Sequence, residues 1–412
     1  MNEPASITEV IAAEGGVVTF ARFMELALTH PTLGYYSRAE RLLRHGGDFN
    51  TAPALSPFFN KALARLVTEL VDASLPTLPG GSEPLGAVEP VAVVELGGGE
   101  GQLAAAVLEY WEKERPEFRE KIAYRVVEVG AGLRQRQQLA AAPWAAGGWD
   151  VGWGLDLAEA CAAVRPVVIV GNEFLDTLPV HLVRVAGESL SEAYVGATPA
   201  GLEQTWGPLA GETAAEVEAL FGPLEPSRLQ ALTDDGFLEV SPALGGLMQQ
   251  VAADMPSGSL VNVDYGEWFP GVPHCGQRWG LEERRPRRRS VRGYFKHQMT
   301  VDPLVRAGRQ DLTADVDFAA VDLHGREQGF ETVLFTILTA FLHAGGARAE
   351  PAVLRDAFAL GGPGANPPAP NSLVPDEAVD LLEADRQATV LANLLDETDL
   401  GGAFKLMVQV RE

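Results

Sequence analysis

The stretch VAVVELGGGEGQ, Val91 to Gln102, decides the fold. Val91 to Leu96 is an apolar, β-branched run broken only by Glu95, the pattern of a strand covered on both faces. Gly97, Gly98, Gly99 and Gly101 follow at once, and Gln102 to Glu114 has helical spacing. A strand that turns through glycines into a helix is the opening unit of a parallel α/β sheet, and its loop lies at the sheet edge where such folds bind ligands. Glycines there let the backbone approach a ligand with no Cβ in the way; a mere tight strand-to-helix turn is the alternative.

The same pattern recurs along the chain. YRVVEVG (Tyr124 to Gly130), PVVIVGNEF (Pro166 to Phe174) and SLVNVDYG (Ser259 to Gly266) are short buried runs ending in an acid or glycine, with a further helical stretch from Leu133 to Ala142. The order βαβαβ predicts an α/β fold with a mostly parallel sheet and right-handed crossovers. AFKLMVQV, Ala403 to Val410, supplies a terminal strand.

Three regions are expected. Residues 1–87 read as an N-terminal helical segment, from the spacing of Phe20, Phe23, Met24 and Ala27 and of Phe58, Phe59, Leu63, Leu66, Val67 and Leu70. Ser56 is a good N-cap there and Pro57 a good first helical residue. Residues 88–330 form the core, interrupted at about 181–240 by alternating segments (HLVRV, EAYVGA, GLEQTW) that predict an antiparallel insertion. Residues 331–412 complete the sheet. The Pro/Gly-rich stretches Leu75 to Pro90 and Gly361 to Pro375 read as linkers or exposed loops.

Composition removes several classes of function. The chain has 412 residues and a formal net charge of −24, which repels nucleic acid and anionic membranes except near the basic run Arg284 to Arg292. That run either docks an acidic partner or is a solvated loop. Cys161 and Cys275 are the only cysteines, so a disulfide framework or zinc ribbon is out. No lysine follows a glycine, which removes the P-loop. No stretch is apolar for long enough to span a membrane. The opening MNEPASITEV lacks a secretory leader's features, and with the scarce cysteines it predicts a cytoplasmic protein.

The glycine loop narrows the ligand. A dinucleotide fingerprint begun at Gly97 needs glycine where Gln102 stands. The pattern [DE]-x-G-x-G-x-G is met in full by Glu95, Gly97, Gly99 and Gly101, and it resembles the first motif of class I S-adenosylmethionine (SAM) methyltransferases. That resemblance implies glycines around the amino-acid end of SAM, with the leading acid near its ammonium. Chemically, a zwitterionic tail beside a sulfonium tolerates Glu95 and Glu100, which a pyrophosphate would not. Glu128 stands 27 residues beyond Gly101, where nucleoside-binding α/β folds place an acid on the ribose hydroxyls. Asp156 either lies near the adenine or caps a helix.

Asn172, Glu173 and Asp176 follow the next strand over the same crevice. Carboxylates at Glu173 and Asp176 could hold a guanidinium by paired N–H bonds and accept its proton. The alternative is structural, with Asp176 capping a turn and Glu173 pairing with an arginine. Asp264 ends the fifth strand, where lining the cleft and a structural role are equally open. His297, Asp311, Asp315 and Asp317 match no standard metal site, and no metal is expected.

Several stretches in order are similar to one family, the MidA group of SAM-dependent methyltransferases, related to a mitochondrial complex I assembly factor that methylates an arginine. They are FMELALTHPTLGYY (Phe23 to Tyr36), GDFNTAPALSPFF (Gly47 to Phe59), VELGGGEGQL, VVEVGAGLRQRQ, NEFLDTLPVHLV, VDYG, KHQMTVDPL, DLTADVDF and FKLMVQV. The resemblance implies a class I, Rossmann-like core, a SAM cofactor, and a lid through Asp48 to Pro53 in which Asp48 and Thr51 reach SAM. Four positions depart from the family pattern: Gly98 and Glu100 replace a proline and an arginine, Ala54 a glutamate, and Asp315 a histidine.

The resulting expectation is a SAM-dependent methyltransferase of protein arginine. Glu95, Gly97, Gly98, Gly99, Gly101, Glu128, Asp156, Asn172, Asp48 and Thr51 would hold the cofactor, and Glu173 and Asp176 would serve catalysis. The partner implied is a protein with an accessible arginine, such as a respiratory complex I subunit, with a homodimer left open. A small-molecule methyltransferase and a silent assembly factor are the rivals.

Overall fold

The computed structural model describes residues 5–37, 56–75, 90–271, 286–296, 298–344, 393–396 and 400–412. Asp48, Thr51, Ala54, Cys275, Arg284, His297 and the stretch 361–375 lie outside the described residues.

The chain starts with α1 (Ile7–Ala13), β1 (Val17–Thr19) and α2 (Phe20–Thr29), the two helices capped by the hydroxyls of Ser6 and Thr19. Helix α3 (Pro57–Ser74) begins as its sequence demands: Ser56 Oγ accepts from the Phe59 N–H, and Pro57, which has no N–H to satisfy, takes the first turn.

The core is then laid down as β2 (Val91–Leu96), α4 (Gln102–Glu114), β3 (Ile122–Val127), α5 (Ala131–Ala146), β4 (Val151–Gly154), α6 (Leu157–Ala160) and β5 (Arg165–Asn172). Strands β2, β3, β4 and β5 are joined in parallel. Their side chains alternate between two covers. Val91 and Val93 pack with α3 and α4, whereas Ala92, Val94 and Leu96 belong to the cluster on the opposite face. Trp111 fastens the first cover. It is fully buried against Phe118, Tyr124 and Trp149, and its indole N–H donates to Thr68 Oγ1 at 3.0 Å. Truncating such a side chain costs about 3–5 kcal/mol.

After β5 the chain leaves for an antiparallel lobe of β6 (His181–Ala186), β7 (Ser189–Thr198), β8 (Gly201–Gly207), α7 (Gly211–Phe221) and β9 (Phe237–Val240). Strand β1 pairs with β7 in this sheet, and α1 and α2 share its core with Leu182, Ala193 and Val195. The N-terminal residues therefore divide, since α3 packs on the parallel sheet.

Helix α8 (Pro242–Asp254) leads back into β10 (Gly258–Glu267), parallel to β5. A three-stranded sheet of β11 (Arg292–Phe295), β12 (Gln298–Thr300) and β13 (Asp311–Thr313) follows, and β14 (Val316–Asp317) pairs with the end of β10. Then come α9 (Phe318–Glu327), β15 (Glu331–Ile337), α10 (Leu338–His343) and β16 (Phe404–Arg411). Strand β16 inserts between β10 and β15, antiparallel to both, giving the order β15-β16-β10-β5-β2-β3-β4. The chain runs from β2 outward to β3 and β4, then restarts on the other side of β2 at β5. Such a reversal opens a crevice beyond the carboxyl ends of β2 and β5.

Candidate active site

The glycine loop occupies that crevice. Gly97, Gly99 and Gly101 have φ of 66°, 51° and 89°, backbone that other residues adopt only at a cost. Their surroundings differ. A Cβ on Gly97 would press on the Phe174 ring at 2.9 Å, one on Gly98 would meet Val126 at 2.7 Å, and one on Gly101 would crowd Gln137 and Ala140 at 3.2 and 3.3 Å. A Cβ on Gly99 would meet nothing within 4 Å. Three of the glycines let the chain pack on itself, and Gly99 faces open space that a ligand can fill.

Glu95 points into the cover formed by α3 and α4, where its Oε2 accepts from the Tyr124 hydroxyl at 2.8 Å. Burial lifts its carboxyl to about 7. Glu100 is exposed and pairs with Arg136 of α5. Where the family pattern has an arginine, a glutamate here meets an arginine from the neighbouring helix.

Glu128 follows β3 and is buried. Its Oε1 accepts from the Gly130 N–H at 2.7 Å and its Oε2 from Gln137 Nε2 at 3.0 Å; burial raises its pKa. Gln137, which the sequence reading missed, donates the same amide also to the Gly99 carbonyl at 2.9 Å and accepts from Trp153 at 3.1 Å. It ties the glycine loop to the proposed ribose acid. One polar residue on a glutamine-rich helix gave no signal of this. Val129 and Leu155, each beside an acid at a strand end, are about half exposed and offer apolar flanks suited to a planar base. Asp156 caps α6, accepting from the Glu159 N–H at 2.8 Å.

On the other side of the crevice β5 ends at Asn172. Its Oδ1 is buried with no hydrogen-bond partner among the described residues. Glu173 then takes φ 50°, one of two positive values outside glycine among the described residues. A left-handed glutamate is strained backbone, which in folded proteins clusters at active sites and ligand clamps.

Asp176 sits in the short turn that follows. Its Oδ2 accepts from Thr313 Oγ1 at 2.6 Å and from the Tyr265 hydroxyl, while its Oδ1 is buried with no partner among the described residues. Asp264 holds the turn from below: its Oδ2 accepts from the N–H groups of Leu175 and Asp176 at 3.0 and 3.2 Å. Burial raises both aspartates, Asp264 strongly, with neighbouring Asp176 and Glu173 adding to the effect.

The N-terminal segment crosses to this site at Tyr36, whose hydroxyl donates to Asp311 Oδ1 at 2.8 Å. Asp315 pairs with Arg292 at 2.7 Å, and Arg287, buried, pairs with Asp317 at 2.6 Å and stacks on Phe221. Two arginines of the basic run are thus internal supports. The acids Asp311, Asp315 and Asp317 are each engaged with a tyrosine or arginine.

This combination defines a class: an α/β transferase core whose switch-point crevice has a glycine cradle open at Gly99, a buried acid beside it and a pair of acids, Glu173 and Asp176, opposite. Residues 81–336 match the family of S-adenosyl-L-methionine-dependent methyltransferases, and the chain belongs to that family. It is a SAM-dependent methyltransferase. It is similar to the mitochondrial protein arginine methyltransferase NDUFAF7 of Mus musculus, 27% identical over 348 residues that cover 77% of this chain and 70% of that one. The homologue in Caenorhabditis elegans is 28% identical over 325 residues, 74% of this chain and 67% of that one. Among solved structures, a COG1565 superfamily member from Burkholderia thailandensis bound to S-adenosyl-homocysteine superposes with a TM-score of 0.68 at 27% identity, covering 98% of this chain and 90% of the other.

The expected cytoplasmic location is corrected by these relatives, which are named as mitochondrial proteins. The expectation leaned on an opening without a secretory leader's features and on scarce cysteines, and neither says which reducing compartment holds the protein.

Proposed function

We propose that this methyltransferase modifies an arginine of a protein, with a respiratory complex I type subunit as the partner. The observation that carries the reading is the pair of acids opposite the cradle: Glu173 in strained backbone and, three residues on, Asp176 with one buried carboxylate oxygen unmatched among the described residues. Buried acceptors in folded proteins rarely go unpaired. A guanidinium, with five N–H donors in a planar fork, supplies what both acids accept.

The cradle fits SAM because Gly99 leaves room for it and Glu128 stands beside it. Gly97, Gly99, Gly101 and Glu128 would hold the cofactor, with Asn172 at the join between the cofactor and substrate sides. When bound, SAM supplies a methyl group on a sulfonium sulfur. Glu173 and Asp176 orient the accepting nitrogen and take up its proton, the orientation being the larger share of the work. The arginine methyltransferase names of the relatives support the same acceptor.

The test is incubation with methyl-labelled SAM and a mitochondrial extract, followed by acid hydrolysis of the protein fraction. Label recovered as methylarginine is expected. Label confined to small molecules would overturn the reading.

A further inference from the structure

Asp176 is tied to two residues far away in the sequence, Tyr265 at the end of β10 and Thr313 at the end of β13. Both hydroxyls reach the same oxygen, Oδ2, and they also touch each other. Two donors on one oxygen fix the plane of the carboxylate and leave Oδ1 as its open acceptor. Neither donor is loose. The Tyr265 ring is wedged between Phe404 of β16, edge-on at 5.5 Å, and the Arg292 guanidinium, 5.0 Å from the ring centre. Thr313 is buried in a strand paired with β11, and the next N–H, that of Ala314, donates to the Asp176 carbonyl at 3.0 Å.

We infer that Tyr265 and Thr313 are positioning residues for methyl transfer, acting through Asp176 by holding its carboxylate ionised and aimed at the incoming nitrogen. The inference rests on the reading of Asp176 as a substrate-contacting acid.

The charged and titratable groups around Asp176 all bear on this role. Asp264 and Tyr265 come from β10, Glu173 precedes the turn, Asp311 comes from β13 with Tyr36 hydrogen-bonded to it, and Arg292 comes from β11 with Asp315 paired to it. The acids among them, Asp264, Glu173, Asp311 and Asp315, disfavour a charge on Asp176. Arg292 is the cation in the group, and burial works against ionisation as well. Without the two hydroxyls the carboxyl would hold its proton to higher pH and could not accept another from the substrate. The hydroxyls stabilise the charged form because they donate to it.

The experiment follows the Asp176 carboxyl by carbon NMR in aspartate-labelled protein, identifying its signal by loss in Asp176→Asn. Removing one donor from a carboxylate raises its pKa by roughly one unit. Tyr265→Phe and Thr313→Val should each move the midpoint upward by about that much, and Thr313→Ser should restore it. The acid limb of the labelling rate with mitochondrial extract should move by the same amount, with SAM affinity in calorimetry unchanged. Thr313→Val carries the test should Tyr265→Phe not fold. An unmoved midpoint in a folded variant overturns the positioning role. A moved midpoint, with Asp176→Asn still labelling at the parental rate, overturns instead the reading of Asp176 as substrate-contacting, and the positioning role falls with it.

Discussion

Glu173 holds a φ of 50° that glycine would adopt freely, whereas a residue with a side chain gives up about 1 kcal/mol there. If that strain serves the substrate, Glu173→Gly removes function without harming the fold. Its stability should stay within about 1 kcal/mol of the parent, because relief of strain is offset by glycine's extra freedom in the unfolded chain. Methyl transfer should fall at least tenfold. Urea denaturation together with the labelling assay checks both, and a loss well beyond 2 kcal/mol would make Glu173 a structural residue. The acid at the strand end was legible in NEFLD, since acids after buried strands stand out. Its backbone angle was not, because φ depends on where β10 holds the chain: the Glu173 N–H donates to the Val263 carbonyl at 2.8 Å.

Among the elements, β2 and β3 carry a pH dependence. Glu95 on β2 is raised to about 7 from an ordinary 4.5, so the folded protein keeps this proton longer than the unfolded chain. The stability it contributes is full below pH 4.5, declines as pH rises and is gone above about 7. The span amounts to roughly 3 kcal/mol. Glu95→Gln keeps an acceptor for Tyr124 and abolishes the titration, so its urea midpoint should fall less between those pH values than that of the parent. Equal falls would contradict the buried placement of Glu95. At the other side of the crevice, Gly266 is next to last in β10 with φ 155°, and a Cβ there would strike the Val316 carbonyl at 2.2 Å. Gly266→Ala should push β14 away, drag Thr313 from Asp176 and lower methyl transfer while SAM affinity, measured by calorimetry, holds. Loss of SAM affinity instead would place Gly266 in the cofactor site. The strands themselves were legible because their apolar runs are nearly unbroken. The Asp176, Tyr265 and Thr313 cluster was not, since no local pattern links residues separated by 89 and 137 positions.

For the whole molecule, the charge of −24 describes two arrangements. Glu95, Glu128, Glu173, Asp176 and Asp264 gather at the carboxyl edge of one sheet, which the sequence pattern of acids after strands foreshadowed. The arginine run looked like an outward-facing patch, yet Arg287 and Arg292 turn inward to Asp317 and Asp315. Their acid partners lie far down the chain, so only the fold reveals the pairing. The N-terminal helices looked like one segment for the same reason: amphipathic spacing shows that a helix has a buried face but not which core receives it. At this scale we propose that the whole crevice is a SAM site opened by Gly99. Calorimetric titration of SAM into the parent and Gly99→Val tests it most directly. One SAM per parent chain and no detectable binding to Gly99→Val are expected, with the melting temperature lowered by only about a few degrees. Equal SAM affinity in both proteins, or binding of NAD in place of SAM, would contradict it.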